Sequence, residues 1–521
     1  MTSPVTELPA PGPGGGDKPR GVDRVLSWIE RAGNALPHPV VLFTALFGVV
    51  AVVSTALALA DVSVTVPGTD DTKQITGLLT GEGVRWLVEN LVTNFASFPP
   101  IAAVLLMIMA VGVAEKAGLL ETAMRATLAR APRAFLPYLV ALVACQAHMM
   151  SDVAAIVLPP LAAVVFKSAG RHPAAGLIGG FACVTAGYAA GATIGSLDAL
   201  YTGITQRAVE VLPDSHHVDV TILANYFFTA TSSLALGLVG GFLISRVLEP
   251  RLPVWAAADE EPDEGVHLTP EQRRGLIRSA LVVAVYAAVV LSLWLPDGAP
   301  LRGEGGALVP SPLLNGIVPV LFGAFLLGGM VYGATARTLT GSEGVVGAMT
   351  DSVKNMGGYV VMMFVAAQVI AVFNWSNLGV LLAVKAAALL ESIGLTGFGA
   401  LVAFVLLVSC LNLVVLSGSA LWSLIGPVFV PAFMLLGMNP ALSQAAFRIG
   451  DSATAVITPM NPYVFLVLAL LQRYEPEARL GTLISRLAVF VVPFMVVWLA
   501  ILAVFYGFDL PLGPGAGIGL K

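Results

Sequence analysis

Residues 447–463 read FRIGDSATAVITPMNPY. An arginine, an aspartate, an asparagine and two prolines stand here inside a long apolar tract, and the reading of this stretch decides the fold. A helix entering it from near residue 440 carries Arg448 and Asp451 on one face, since residues three apart are helical neighbours. Pro459 and Pro462 remove backbone donors and crowd the turn before them, so the helix breaks just after the charges. Charge and freed carbonyls at such depth are tolerated only where protein or a watery cavity surrounds them.

The rest of the chain is of membrane type. Of 521 residues, 57% are hydrophobic and 11% charged, and mean hydropathy is +0.86. No soluble domain of this size needs so much apolar side chain. The net charge of −5 gives no sign of a nucleic-acid partner. Cys145, Cys183 and Cys410 fall in apolar runs with no metal or disulfide spacing and read as small core residues. The first 20 residues are rich in Pro and Gly without an apolar centre, which suits a disordered tail rather than a signal peptide.

A crossing helix needs about 20 apolar residues. Nine segments qualify: 38–60, 99–117, 174–194, 221–246, 272–294, 312–334, 356–373, 440–458 and 481–508. Two further apolar tracts are interrupted, 135–166 by HMMSD at 148–152 and 398–436 by LSGSA at 416–420. Each reads as a re-entrant hairpin. With the N-terminus inside, twenty of the 27 lysines and arginines lie on the cytoplasmic side and six outside, leaving Arg448 alone within a span. That asymmetry is the positive-inside pattern, and it places the C-terminus outside, most simply in a bacterial inner membrane.

An internal repeat underlies the pattern. A shift of 267 sets Pro160 on Pro427, Phe166 on Phe433, Gly170 on Gly437 and Pro173 on Pro440. A four-residue adjustment then lays GYAAGATIGSLDAL (187–200) over GDSATAVITPMNPY (450–463), with Asp198 against Asn461 and with Thr185 and Tyr188 where the second half has Arg448 and Asp451. By the crossing count the spans at 99–117 and 356–373 run in opposite senses, so the halves are inverted. Inverted repeats with broken helices characterise secondary transporters, which bind at the repeat interface. The expected fold is an all-α polytopic membrane protein of nine transmembrane helices and two re-entrant hairpins, built as an inverted-topology repeat with broken helices. Its expected parts are a tail and amphipathic segment (1–37), a first span and outer loop (38–98), repeat 1 (99–246, broken helix 174–208), a cytoplasmic loop with connecting spans (247–355), repeat 2 (356–508, broken helix 440–472) and a C-terminal tail (509–521).

Within that frame Arg448 offers a planar fork suited to a carboxylate, while Asp451 with freed carbonyls suits a hard cation. The alternative is an Arg448–Asp451 ion pair that only makes the two insertable. Ser151 and Asp152 at the first tip, and Ser417, Gly418 and Ser419 at the second, either supply oxygen ligands or form tight turns. Asn412 serves as a ligand or as interhelical glue. Trp422 fills space or stacks on an aromatic ligand. The matched Asp198 and Asn461 suggest a shared role, and His148, with no second metal ligand at helical spacing, reads as structural. Two other classes compete: an intramembrane aspartyl protease using Asp198 and Asp451, and an ion channel. The first is opposed by Arg448, whose charge keeps Asp451 ionised. The second is opposed by the lack of a repeated carbonyl filter. No enzymatic activity is expected.

Several long stretches resemble the p-aminobenzoyl-glutamate transporter (AbgT) family of the ion-transporter superfamily. They are LSWIERAGNALPHPVVLF (26–43), SDVAAIVLPPLAAVVF (151–166), GRHPAAGL (170–177), IGSLDALYTGITQ (194–206), FNWSNLG (373–379), RIGDSATAVITPMNPY (448–463) and LPLGPGAG (510–517). The resemblance implies a homodimer with nine spans and two hairpins per subunit. It also implies cation-coupled movement of p-aminobenzoyl-glutamate, or export of p-aminobenzoate and sulfonamide antimetabolites. Functional positions of that family fall on Asp198, Asn412, Ser419, Trp422, Pro440, Arg448, Asp451 and Pro459. A sodium site near Asn412 and Asp451 is implied, to which Ser151 and Asp152 are added as candidate ligands. The function expected is alternating-access transport of an aromatic carboxylate driven by Na+ or H+; another small organic anion such as a dicarboxylate is the alternative substrate.

Overall fold

The computed structural model describes residues 39–65, 72–128, 132–150, 153–212, 218–253, 268–308, 311–339, 341–354, 356–413, 415, 417–458 and 461–520. The expected tail at 1–37 and the candidate residues Ser151, Asp152 and Pro459 lie outside them.

In an apolar solvent a backbone has no partner but itself, so long runs of Ala, Leu, Val and Ile become helices. Helix α1 (Pro39–Leu59) leads to an antiparallel ribbon of β1 (Ser63–Thr65) and β2 (Thr72–Gln74), with Ser63 opposite Gln74. Helix α2 (Gly81–Ala96), capped by the Thr80 side chain on the Gly83 N–H, turns into α3 (Pro99–Lys116).

The first series continues through α4 (Leu119–Leu128), α5 (Leu136–Gln146), a 3-10 turn (Ala147–Met150), α6 (Val153–Ser168) and α7 (Pro173–Ala186). After a non-helical stretch at 187–195 come α8 (Ser196–Val209) and α9 (Tyr226–Phe242), which ends in a π-turn (Leu243–Leu248). Helices α10 (Pro270–Ser292), α11 (Ile317–Ala336) and α12 (Gly341–Lys354) connect to the second series. That series begins with α13 (Gly357–Trp375) and α14 (Leu378–Ser392), bent by 77° at their junction. It runs on through α15 (Gly397–Asn412), α16 (Gly418–Leu435), α17 (Pro440–Ala455), α18 (Pro462–Leu471) and α19 (Leu480–Gly507).

Among the described residues seven helices are long and apolar enough to cross a membrane, or up to eight if the bent pair counts as one span. Nine spans were expected. The difference lies in the broken helices. With 14 residues α7 reaches about 21 Å, short of the roughly 30 Å hydrocarbon, and only α8 beyond the break carries it further. The expected 174–194 helix stops at Ala186 because glycines at 187, 191 and 195 weaken helix while leaving the stretch apolar in composition. Conversely α16, expected as a hairpin arm, is long enough by itself to pass for a span.

Two observations fix the position of the hairpins. The ends of the first meet: Arg133 Nη2 donates to the Gly170 carbonyl at 2.8 Å and Arg171 Nη1 to the Arg133 carbonyl at 3.0 Å. Arg171 also pairs with Glu249, and the neighbouring His172 senses Glu475 and Arg486 near the start of α19. The second hairpin opens at the other end of α19, where Phe398 packs on Tyr506 with ring centroids 5.6 Å apart. Its far arm is tied to the chain end by Asn439 N–H on Ile518 O at 2.8 Å and Leu520 N–H on Gly437 O at 3.0 Å. Since α19 has 28 residues, about 42 Å of helix, the two mouths lie at opposite ends of the molecule.

Packing follows the same division. Helix α5 lies on α9, α6 on α7, α15 on α17, and α16 on both α8 and α14, so that one buried cluster includes both series. A second cluster around Phe43, Met363 and Ile370 joins α1 to α13. Ile277, Leu281, Val285 and Val289, one turn apart on α10, are each more than half exposed, as an apolar stripe facing lipid would be.

Candidate functional site

Helix α17 is buried from Pro440 to Thr454, which leaves its polar residues no water. Its partners come from the other series. Arg448, 2% exposed, pairs with Asp198 on α8, Nη2 to Oδ1 at 2.8 Å. Its Nη1 donates to the Ala189 carbonyl in the first break at 3.4 Å, and its guanidinium carbon lies 5.2 Å from the Tyr201 ring centroid. The second Asp198 oxygen accepts the Gly195 N–H at 2.9 Å, so one carboxylate caps α8 and neutralises the arginine.

Asp451 is bound separately. Tyr201 Oη donates to its Oδ2 at 2.7 Å and Asn412 Nδ2 to its Oδ1 at 2.9 Å. The Arg448–Asp451 ion pair weighed as the alternative therefore does not form: Arg448 is paired across the molecule with Asp198, and Asp451 is held by neutral donors. The reason is geometric. Both side chains leave α17 towards α8, where Asp198 and Tyr201, themselves three residues apart, meet them in parallel.

The second tip closes on this pair. A Cβ on Gly418 would stand 2.3 Å from Tyr201 Oη and 2.6 Å from Asp451 Oδ2, so only glycine lets the tip approach. Ser417 caps α16 through the Ala420 N–H at 3.3 Å and lies 3.2 Å from the Ser419 hydroxyl. Thr454 Oγ1 is within 3.3 Å of Asn412 Oδ1 and 3.2 Å of the Ser409 carbonyl, and Thr458 donates to Leu413 O at 3.0 Å. The first tip meets the first break in the same way: His148 Nε2 lies 2.9 Å from Thr193 O, and Ala192 N–H donates to Gln146 Oε1 at 2.8 Å. Each hairpin turn thus meets the broken helix of its own series, the second reaching Tyr201 of the first series as well, while α17 and α8 join the two.

Trp422 is fully buried; its indole N–H donates to Thr205 Oγ1 at 3.0 Å and its ring lies over Phe447 at 4.5 Å between centroids. It forms the wall behind Tyr201 rather than an open face. Asn461 caps α18 by accepting the Tyr463 N–H at 3.0 Å, and Pro440 opens α17.

The pairing of Asp198 with Asn461 shifts in the structure. Asp198 lies in the first turn of α8, whereas Asn461 precedes the first turn of α18 and answers to Gly195. Counted from their opening prolines, Arg448 and Asp451 face Phe181 and Val184 in α7 rather than Thr185 and Tyr188.

Tyr201 was missed by the sequence reading. Asp198, Tyr201 and Thr205 recur at helical spacing on α8, a polar stripe visible in IGSLDALYTGITQ. Among the described residues no group of three His, Cys, Asp or Glu could hold a metal ion. The oxygens gathered here are those of Asp451 and Asn412, with Thr454 and the Ser409 carbonyl.

The chain matches the model of the AbgT putative transporter family over residues 24–520. It is 37% identical over 493 residues to the p-aminobenzoyl-glutamate transport protein of Escherichia coli (strain K12), covering 94% of this chain and 96% of that protein. Among solved structures it is similar to the Alcanivorax borkumensis YdaH transporter, described as having an unusual topology, with TM-score 0.86, 36% identity and coverage of 92% of this chain and 100% of that one. It is likewise similar to Neisseria gonorrhoeae MtrF, of a class described as antimetabolite efflux pumps, with TM-score 0.89, 37% identity and coverage of 95% and 100%.

Proposed function

Since the chain belongs to the AbgT putative transporter family, whose members are transporters and not enzymes, we propose that it moves p-aminobenzoyl-glutamate and p-aminobenzoate-type carboxylates across a bacterial inner membrane by cation-coupled alternating access. The reading extends to export of sulfonamide antimetabolites, in which a sulfonamide group stands where p-aminobenzoate has its carboxylate. The reading includes a homodimer of nine-span subunits with the N-terminus cytoplasmic and the C-terminus outside, two re-entrant hairpins and inverted repeats. The opposite mouths of the hairpins and the tips resting on the breaks support the last two.

One observation carries the mechanism: two polar links, Arg448–Asp198 and Asp451–Tyr201, join α17 to α8, and in this reading cargo replaces them. A substrate carboxylate competes with Asp198 for the Arg448 fork. Na+ or H+ at Asp451 competes with the donation from Tyr201, with Asn412 and Thr454 supplying further oxygen. Cargo that satisfies these groups better in one state shifts the population towards it, by no more than its differential affinity. An aspartyl-protease dyad fits poorly, because Asp198 and Asp451 each face a different partner.

Proteoliposomes holding the purified protein, loaded with labelled p-aminobenzoyl-glutamate or p-aminobenzoate under an imposed Na+ or H+ gradient, test the proposal. Gradient-driven flux is expected. Flux indifferent to both gradients would remove the coupling, and faster flux of a simple dicarboxylate would replace the substrate class.

A further inference from the structure

One helical turn before Arg448, Gln444 is buried against Asn225, the residue that opens α9. Asn225 Nδ2 donates to Gln444 Oε1 at 2.7 Å. That bond uses one end of each amide. Among the described residues Asn225 Oδ1 and Gln444 Nε2 have no partner, although the residues are 3% and 1% exposed. Turning both amides over leaves the same remainder, one acceptor and one donor. Arg448 Nε, on the same face of α17, likewise has no partner among the described residues. Buried polar groups are nearly always satisfied, and those that are not call for a partner, an ordered water or a ligand.

We infer that the Asn225–Gln444 pair is a subsite for the amide group of an N-acyl amino acid whose carboxylate is held by Arg448. The inference rests on the transport reading above and refines its substrate. A secondary amide carries one N–H and one C=O, the complement of the free Asn225 oxygen and Gln444 N–H. In an N-acyl amino acid the amide nitrogen and the α-carboxylate hang on one carbon, so side chains one turn apart on the same face of α17 can engage both. A free benzoate has a carboxylate but no amide, and satisfies only the arginine. The pair therefore discriminates between the amide-conjugated and free forms of the same aromatic acid. A site built to hydrogen-bond a group rejects analogues that lack it, because its own buried atoms are then left unpaired.

The test measures flux of labelled p-aminobenzoyl-glutamate and p-aminobenzoate by the full-length protein in proteoliposomes. Replacing Gln444 by Met, or Asn225 by Leu, is expected to lower the ratio of the first flux to the second by about tenfold or more. A ligand-side arm needs no variant: the ester isostere of p-aminobenzoyl-glutamate, lacking the amide N–H, is expected to compete about tenfold more weakly against wild type. An unchanged ratio together with equal competition by the ester would overturn the subsite and leave the two amides to an ordered water. If a variant fails to fold, the ester arm decides. If wild type moves neither labelled compound, the transport reading itself fails, and that outcome is distinct from an unchanged ratio.

Discussion

Arg448 and Asp198 pose a question that substitution can answer, because a buried ion pair can hold a fold without serving transport. Truncating one partner strands the other charge and costs about 3–5 kcal/mol, whereas replacing both by apolar side chains is often neutral. Arg448→Ala is therefore expected to abolish flux and also to lower thermal stability. In the double variant Arg448→Met, Asp198→Leu, stability should return apart from about 1 kcal/mol for the lost α8 cap, while flux does not. Recovered flux in the double variant would reduce the pair to structural filler. Gly418 is a second such residue. Gly418→Ala places a methyl 2.3 Å from Tyr201 Oη, an overpacking of about 1–3 kcal/mol. Tyr201→Phe removes the nearest clash but also the hydrogen bond to Asp451, so the double variant should lose less than the sum of the two single losses; plain additivity in a melting series would mean that the tip does not press on Tyr201.

At the scale of elements, the two broken helices open alike but are capped differently. Asn439 caps α17 by accepting the Ala441 N–H at 2.9 Å, and His172 caps α7 with Nδ1 accepting the Ala174 N–H at 3.2 Å. Burial holds the His172 pKa below its ordinary value against the opposing pull of Glu475 and Glu249; a backbone hydrogen bond at Pro253 also raises it and Arg486 lowers it. A histidine with a depressed folded pKa contributes stability that is complete above its unfolded value near 6.5. That contribution is lost as pH falls through the folded value. Acidifying detergent-solubilised protein from pH 7.5 to pH 5 should thus lower its melting temperature, and His172→Asn, which copies the other cap, should flatten that slope. An equal slope in the variant would assign the loss to other groups. Most elements were legible in advance. Helix α15 begins and α17 ends within a few residues of expectation, since long apolar runs bounded by Gly, Pro and Asn leave little choice. The end of α7 was not legible, because glycine-rich apolar sequence suits both a helix and its absence, and the tertiary contacts of His148 with the break decide. Nor was the cross-pairing of Arg448 with Asp198: spacing along one helix shows which side chains are neighbours on it, but not what another helix brings to them.

For the whole molecule, the feature with the widest reach is the stretch from Leu512 to Leu520. It accepts the Phe228 N–H at 3.0 Å, accepts that of Asn439 at 2.8 Å, and donates from Leu520 to Gly437. Gly513 fits so closely that a Cβ there would lie 1.9 Å from the Leu223 carbonyl. Deleting residues 511–520 is expected to lower the melting temperature and to raise hydrogen exchange at Phe228 and Asn439; unchanged exchange at both would mean that the strap is ornamental. Its consequence reaches the bench. A purification handle or fluorescent fusion joined directly after Lys521 would tug on a buckle that fastens the start of α9 to the entrance of the second hairpin. Any slackening there would pass for a defect in catalysing translocation, so comparisons among variants should carry their handle at the opposite terminus.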